Sequence, residues 1–290
     1  MYYIYTGGVV PRHVTRVRID ESLTVIPAWA FEGRQNITEL DCHVGVKKVE
    51  EFAFRNCRSL RRVIMPGVNV VARNAFFDCV ALIDVECVKL ERIGHAAFGG
   101  CEFLKSIDLS SIKVVQGRAF ISCLQLKNVK FGEELESIRS RAFLDCTSLD
   151  RITIPLKDGM INTDNIFQEC KSLKHVDLVE GAVLHETIAS LQMEEWKIDM
   201  NEEIASINQI LPNTPAGNLH DNDNAGGKAQ AIRSWIRSVL HKVVQYKAEH
   251  RCYLNEAATT LQPALPNDIV FKNVLPFLEL PAYTFEGEDD

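Results

Sequence analysis

The side chains of this 290-residue chain best suited to chemistry are nine cysteines and eight histidines, and their spacing decides what they can do. Zinc sites need paired thiols or imidazoles a few residues apart, and the chain has neither C-x-x-C nor H-E-x-x-H. A phosphate loop fails at both ends: Gly227-Lys228 is followed by Ala229, and Asn222 stands where the first glycine belongs. Asp221-Asn222-Asp223-Asn224-Ala225-Gly226 opens like a calcium loop, but Ala225 takes the fifth position and Ile232 the twelfth, where a bidentate Glu is required. No G-x-S-x-G nucleophile elbow is present. His175 stands beside Asp177 on an expected strand, where the two could form a shallow pair at the surface. These residues predict no catalysis, no cofactor, no metal and no small-molecule substrate.

The cysteines follow a different rule. Ala-Phe recurs at Ala30-Phe31, Ala53-Phe54, Ala75-Phe76, Ala97-Phe98, Ala119-Phe120, Ala142-Phe143 and, as a variant, Ile166-Phe167, at intervals of 22 to 24 residues. Three residues after Phe comes Cys57, Cys79, Cys101, Cys123, Cys146 or Cys170 (Arg34 in the first copy), and six after it comes Leu or Ile. The position calls for a small buried hydrophobe, so the thiols are expected reduced and inert. Bridges between rungs are disfavoured, because a ladder spacing of ~4.8 Å exceeds the Cβ separation of a disulfide. Cys42 and Cys87 take the last apolar place of their own strands.

The Leu opens an L-x-x-V-x-φ segment, as in Leu60-x-x-Val63-x-Met65 or Leu126-x-x-Val129-x-Phe131, with a lone copy at Val14-x-x-Val17-x-Ile19. Apolar positions two apart are strand periodicity, and one short strand cannot bury its own face, so neighbouring repeats must stack. The expected fold is an α/β repeat: a leucine-rich-repeat solenoid with one parallel strand ladder, the Ala-Phe-x-x-Cys turn returning along the other side. At these residues the chain resembles the BspA-like leucine-rich repeats, which also often place Pro after the strand, as at Pro66 and Pro155. The resemblance spans about residues 14 to 180 and implies a protein-interaction surface. It departs from commoner leucine-rich repeats in lacking a consistent polar residue after the strand to form a hydrogen-bonded ladder.

With the strand's first, fourth and sixth positions inward, the third and fifth face the concave side. Rung by rung they are Arg16/Arg18, Glu39/Asp41, Arg62/Ile64, Asp84/Glu86, Ser106/Asp108, Asn128/Lys130, Arg151/Thr153 and His175/Asp177. The charged members form a possible partner-binding face. Their signs alternate over the first four rungs, so lateral mutual neutralisation stands as an equal reading, and no aromatic anchor is among them.

After Leu178 the period becomes helical. Leu184, Ile188, Leu191, Trp196, Met200, Ile204, Ile207 and Leu211 advance by three to five residues and predict an acidic helix of nearly 30 residues, the alternative being an interruption at Asp199, where a capping box with Glu202 would fit. Its expected duty is to cover the last rung. A second pattern, with Ile232, Trp235, Ile236, Val239, Leu240, Val243 and Tyr246 on one side, is basic. Residues 184–211 hold six acids against one base and residues 228–251 six bases against one acid, so an antiparallel hairpin of opposite charge is preferred to a calmodulin-binding or membrane-surface role for helix 228–254. Leu265-Pro266-Asn267-Asp268-Ile269 begins like an F-box, so residues 265–278 offer an alternative in which the solenoid selects targets for a ubiquitin ligase; a third short helix packed on the hairpin is preferred. The expected organisation is a lead-in over 1–13, the solenoid over 14–180 with about eight strands and seven Ala-Phe turns, an acidic capping helix over 181–212, a flexible linker over 213–227, a basic amphipathic helix over 228–262, and a short helix with an acidic tail over 263–290.

The net charge of −7 is uneven: residues 1–180 hold 24 Lys/Arg against 23 Asp/Glu, and residues 181–290 hold 8 against 16. A dominant polyanion surface, and hence nucleic acid, is not expected. No run of 18 apolar residues and no export signal are seen, which predicts a soluble cytoplasmic protein away from membranes. The function expected is a non-enzymatic scaffold or recognition module for a protein partner.

Overall fold

A computed structural model describes residues 2–179, 194–217 and 227–261. Successive L-x-x-V-x-φ segments pair in parallel, one residue above the next. β1 (Tyr3–Tyr5), β2 (Arg16–Ile19), β4 (Glu39–Asp41), β6 (Arg62–Ile64) and β8 (Asp84–Glu86) form one run, and β10 (Asp108–Leu109), β12 (Asn128–Phe131), β14 (Arg151–Ile154) and β15 (His175–Leu178) a second. The lead-in thus supplies a strand of its own, β1, with Tyr5 buried in register with Ile19.

Six of the seven repeats contribute a second strand, where one strand per repeat was expected, and the seventh adds a single bridge from Ile161 to Ile138. β3 (Val25–Ile26), β5 (Lys48–Val49), β7 (Val70–Val71), β9 (Arg92–Ile93), β11 (Val114–Val115) and β13 (Ser137–Ile138) form a six-stranded parallel ladder on the returning side. These strands are two residues long, with the second residue fully buried in every case. This ladder runs unbroken past the gap between β8 and β10.

The Ala-Phe turn makes a third set of rung-to-rung bonds. Phe31 N donates to Ala53 O at 2.7 Å, Phe54 N to Ala75 O at 2.7 Å, and Phe98 N to Ala119 O at 2.8 Å. Two residues before and two after each of the first six Phe the backbone is left-handed, as at Trp29 and Gly33, Phe52 and Asn56, and Arg118 and Ser122, while Phe167 keeps only the second of the two, at Glu169. Non-glycine residues pay roughly 1–2 kcal/mol for this conformation, and their N–H groups recover it by bonding forward, Trp29 N to Glu51 O and Asn56 N to Phe77 O. Inside the coil the seven Phe rings stack face to face, with centroids 4.7 to 5.7 Å apart, and Tyr5 tilts over Phe31 at one end.

The helices are α1 (Glu194–Ile210), a 3₁₀ turn at Leu211–Asn213, and α2 (Lys228–Leu261). α1 passes through Asp199 without interruption, because Asp199 faces α2 instead of capping a new helix. The chain divides into two compact units, Met1–Val179 with Asn208–Arg233, and Glu180–Ile207 with Ser234–Asp290. In the first, the end of the stack is closed by side chains and backbone standing in for a missing rung. Asn208 presents its amide to β15 as a peptide would, Oδ1 accepting from Val176 N at 2.8 Å and Nδ2 donating to Val176 O at 3.3 Å. Glu169 N, which lacks a next repeat, donates to Ala216 O at 3.2 Å. The buried Lys228 ammonium donates to Leu173 O at 2.6 Å and Leu211 O at 2.8 Å. Residues 213–217 of the expected linker are therefore tied to the solenoid.

In the second unit α1 and α2 are antiparallel. Trp235 is buried and its Nε1 donates to Glu203 O at 2.9 Å; Lys242 Nζ reaches Asp199 at 2.8 Å and Glu203 at 3.1 Å; Tyr246 OH donates to Asp199; and Trp196 stacks on Tyr246 with centroids 5.2 Å apart. Hydrogen bonds from Lys242 and then Tyr246 hold the Asp199 carboxyl below its usual range, while burial and the Asp199 bond push Tyr246 up to about 12.

Candidate functional site

The cysteines are part of the scaffold in a way their hydrophobic spacing does not reveal. Each repeat thiol donates to the carbonyl of the Phe one repeat earlier: Cys57 to Phe31 O at 3.0 Å, Cys79 to Phe54 O at 3.1 Å, Cys101 to Phe76 O at 3.3 Å, Cys123 to Phe98 O at 3.2 Å, Cys146 to Phe120 O at 3.1 Å and Cys170 to Phe143 O at 3.0 Å. This is the side-chain ladder missing after the strands, moved to the turn. Burial pushes the Cys57 thiol up to about 12, and Cys42 and Cys87 likewise. Such a thiol stays protonated at neutral pH, a donor and not a nucleophile. All nine cysteines are free, and only Cys252 is exposed.

On the outward face of the first ladder the strands hold the named charges in columns one rung apart. Arg16 pairs with Glu39 at 3.3 Å, Arg18 with Asp41 at 2.8 Å, Arg62 with Asp84 at 3.5 Å and more closely with Glu86, and Arg151 with Asp177 at 2.6 Å. These are exposed or half-exposed pairs, each contributing ~0–1 kcal/mol. His175 does not pair with Asp177. Residues two apart on a strand lie about 6.6 Å apart, and the cross-strand Arg151 takes that carboxylate; His175 Nδ1 lies 3.5 Å from Asp150 instead. Asp108 accepts from Ser110 N at 2.9 Å, and among the described residues Lys130 makes no ion pair. The first rung carries what the repeat window missed: Tyr2 and Ile4, in the columns of Arg16 and Arg18. Tyr2 OH donates to Glu39 at 3.1 Å and its ring lies 4.7 Å under the Arg18 guanidinium, a contact legible only once β1 is known to extend the ladder.

A groove of about 450 Å³ runs along the loops that lead from the first ladder to the second, lined by Lys47, Asn69, Glu91, Ser110, Ser111 and Lys113, with Lys113 3.4 Å from Glu91. Among the described residues no group of three His, Cys, Asp or Glu could hold a metal ion, and no helix is long and apolar enough to cross a membrane. The apolar side of α2 that could serve calmodulin or lipid is covered at Trp235, Ile236, Val239 and Val243. The F-box-like residues 265–278, the short helix of 263–290 and residues 181–193 of the acidic helix lie outside the described residues.

Two parallel ladders on a stacked Phe core, renewed every 22 to 24 residues, define a leucine-rich-repeat protein. The model of the BspA type leucine rich repeat region matches in six copies over residues 12–112 and 69–190. This is more than half of the chain, which therefore belongs to the BspA-type leucine-rich-repeat family, one that suggests a recognition or protein-interaction module. Similar solved structures include a leucine-rich repeat protein from Bacteroides ovatus, 21% identical with a TM-score of 0.41, covering 59% of this chain and 53% of that one. A leucine rich cell surface protein from Faecalibacterium prausnitzii is 20% identical with a TM-score of 0.39, covering 58% and 61%. The T. pallidum leucine rich repeat protein is 22% identical with a TM-score of 0.41, covering 64% and 92%. The chain spans between half and two thirds of the length of the first two. No curated protein sequence matches significantly.

Proposed function

We propose that the protein is a recognition module that binds a protein partner on the surface of its solenoid and carries out no chemistry of its own. The observation behind this reading is that the interior of every repeat is spent on holding the surface still. Phe rings, thiol donors and three sets of rung-to-rung bonds fix the exposed side chains at ladder spacing, and a surface ordered before binding loses little conformational entropy when a partner arrives. In the helical unit Lys242 is paired with Asp199 and Glu203, and Trp235 is buried against α1, which favours the solenoid as the presenting surface. Affinity capture of the full chain from a native extract, with partners identified by mass spectrometry and then rebuilt from purified components, tests the proposal. A reproducible protein that binds directly is expected; a chain that recovers none while turning over a substrate would overturn it.

A further inference from the structure

Charge on the second ladder follows a different rule from charge on the strand face. Residues 70–75, 92–97, 114–119 and 137–142, which run from the second strand to the Ala before Phe in four consecutive rungs, hold five arginines, His95 and neither Asp nor Glu. The equivalent segments outside these rungs break the pattern, with Glu50 and Glu51 on one side and Asp164 on the other. Among the described residues Arg73, Arg92, Arg118, Arg139 and Arg141 form no ion pair, while Glu50 and Asp164 are already engaged by Lys48 and Arg233. The Arg141 Nε is buried without a hydrogen-bond partner there. Burial, and then the nearby guanidinium groups of Arg73 and Arg118, hold the His95 imidazole below its ordinary value. Backbone bonds from Asn74 N to His95 O at 2.9 Å, Ala96 N to Gly117 O at 3.1 Å and Arg118 N to Ser140 O at 3.1 Å lock the rungs together. With rungs ~4.8 Å apart, the track from Arg73 to Arg141 is about 15 Å long.

We propose that this arginine edge docks an acidic, extended segment of the partner protein, whose carboxylates lie along the stack against guanidinium groups on successive rungs. This rests on the solenoid being a protein-recognition surface and names where and by what chemistry it acts. A strand advances ~3.3 Å per residue, so about five residues rich in Asp and Glu span the track, and guanidinium–carboxylate pairs favour planar two-point contacts. Nucleic acid fits less well: the four segments contain no Phe, Tyr or Trp for base stacking, and the chain as a whole carries a net charge of −7.

The test is fluorescence anisotropy of a labelled oligoglutamate on the full chain at low ionic strength, with an oligothymidylate of matching length beside it. Binding of the oligoglutamate that weakens steeply with salt is expected, with a loss of about tenfold or more in the triple variant Arg73→Gln, Arg118→Gln, Arg141→Gln. Removing three charges elsewhere, in Arg58→Gln, Lys105→Gln, Lys127→Gln, should change it less than about twofold. Absence of binding, equal binding by both triple variants, or oligothymidylate binding as tightly as oligoglutamate would each overturn the proposal. A captured partner that the Arg73 triple variant retains undiminished would overturn the arginine edge and leave the recognition role standing; absence of any direct partner would overturn that role first.

Discussion

The strand face and the arginine edge are built from the same repeats on the same Phe core, yet they handle charge in opposite ways. On the strand face a guanidinium on one rung meets a carboxylate on the next, as Arg18 meets Asp41 and Arg151 meets Asp177. On the edge, Arg73, His95 and Arg118 follow one another with no acid between them. A stacked repeat makes neighbours of residues some 22 positions apart, so whether a column is neutralised depends on the order of signs along it. Like charges one rung apart destabilise the stack, and a protein that keeps them unpaired has left a place for charge from outside.

The largest expected effect removes the support common to both surfaces. Phe98→Ala should cost ~3–5 kcal/mol, the range for truncating a packed aromatic, because its ring lies between Phe76 and Phe120. A denaturant titration showing a loss no larger than that of a surface substitution would mean that the two faces do not share this core. Smaller, and confined to one end of the strand face, is Asn208→Leu. It strips β15 of its stand-in rung and leaves Val176 N and O without partners, at about 1–3 kcal/mol. Hydrogen exchange should rise at Val176 and not at β4 or β6; uniform acceleration would show that the cap stabilises nothing locally.

The comparison is sharpest in the sign of two single-charge substitutions. Arg151→Gln should lose up to ~1 kcal/mol, fading with added salt, whereas Arg118→Gln should leave stability unchanged or raise it slightly, since it relieves repulsion with Arg141, which holds the same position one rung away. Urea midpoints at low and high salt decide it, and a loss in both variants would mean that the edge has a counter-ion within the chain. The smallest effect is pH dependence. The folded His95 binds its proton more weakly than the unfolded chain does, so its contribution to stability is present above the ordinary imidazole value of 6.5 and is lost as pH falls through it. Comparing His95→Gln with the parent chain at pH 7.5 and 5.5 isolates this term; an identical acid loss in both would remove His95 from the cluster.

Much of this was legible in one dimension. The Ala-Phe-x-x-Cys period, the inward Leu and Val, and the alternation of signs on the strand face are local spacings, and a stacked repeat turns spacing directly into position. The second ladder escaped because two residues are too few to show a period of two, although Ile26, Val49, Val71, Ile93, Val115 and Ile138 recur four residues before each Ala. The thiol donors escaped because a Cys spaced as a hydrophobe can also donate a proton to a carbonyl. Whether the acidic helix runs through Asp199 stayed open in the sequence, because Asp199 and Glu202 also match a capping box until Lys242 and Tyr246 are placed opposite.

By itself the sequence determined the repeat, its register and the solenoid, because each is a matter of which side chains recur and how far apart. Only the tertiary structure decided which charges meet, that an Asn amide 32 residues beyond Val176 closes the open edge, and that the arginines of residues 70–142 form a row with no ion pair among the described residues, within the first 180 residues, whose net charge is close to zero. Net charge sums over residues without regard to place. Pairing depends on distances of a few ångströms across rungs, and those exist only once the coil is wound.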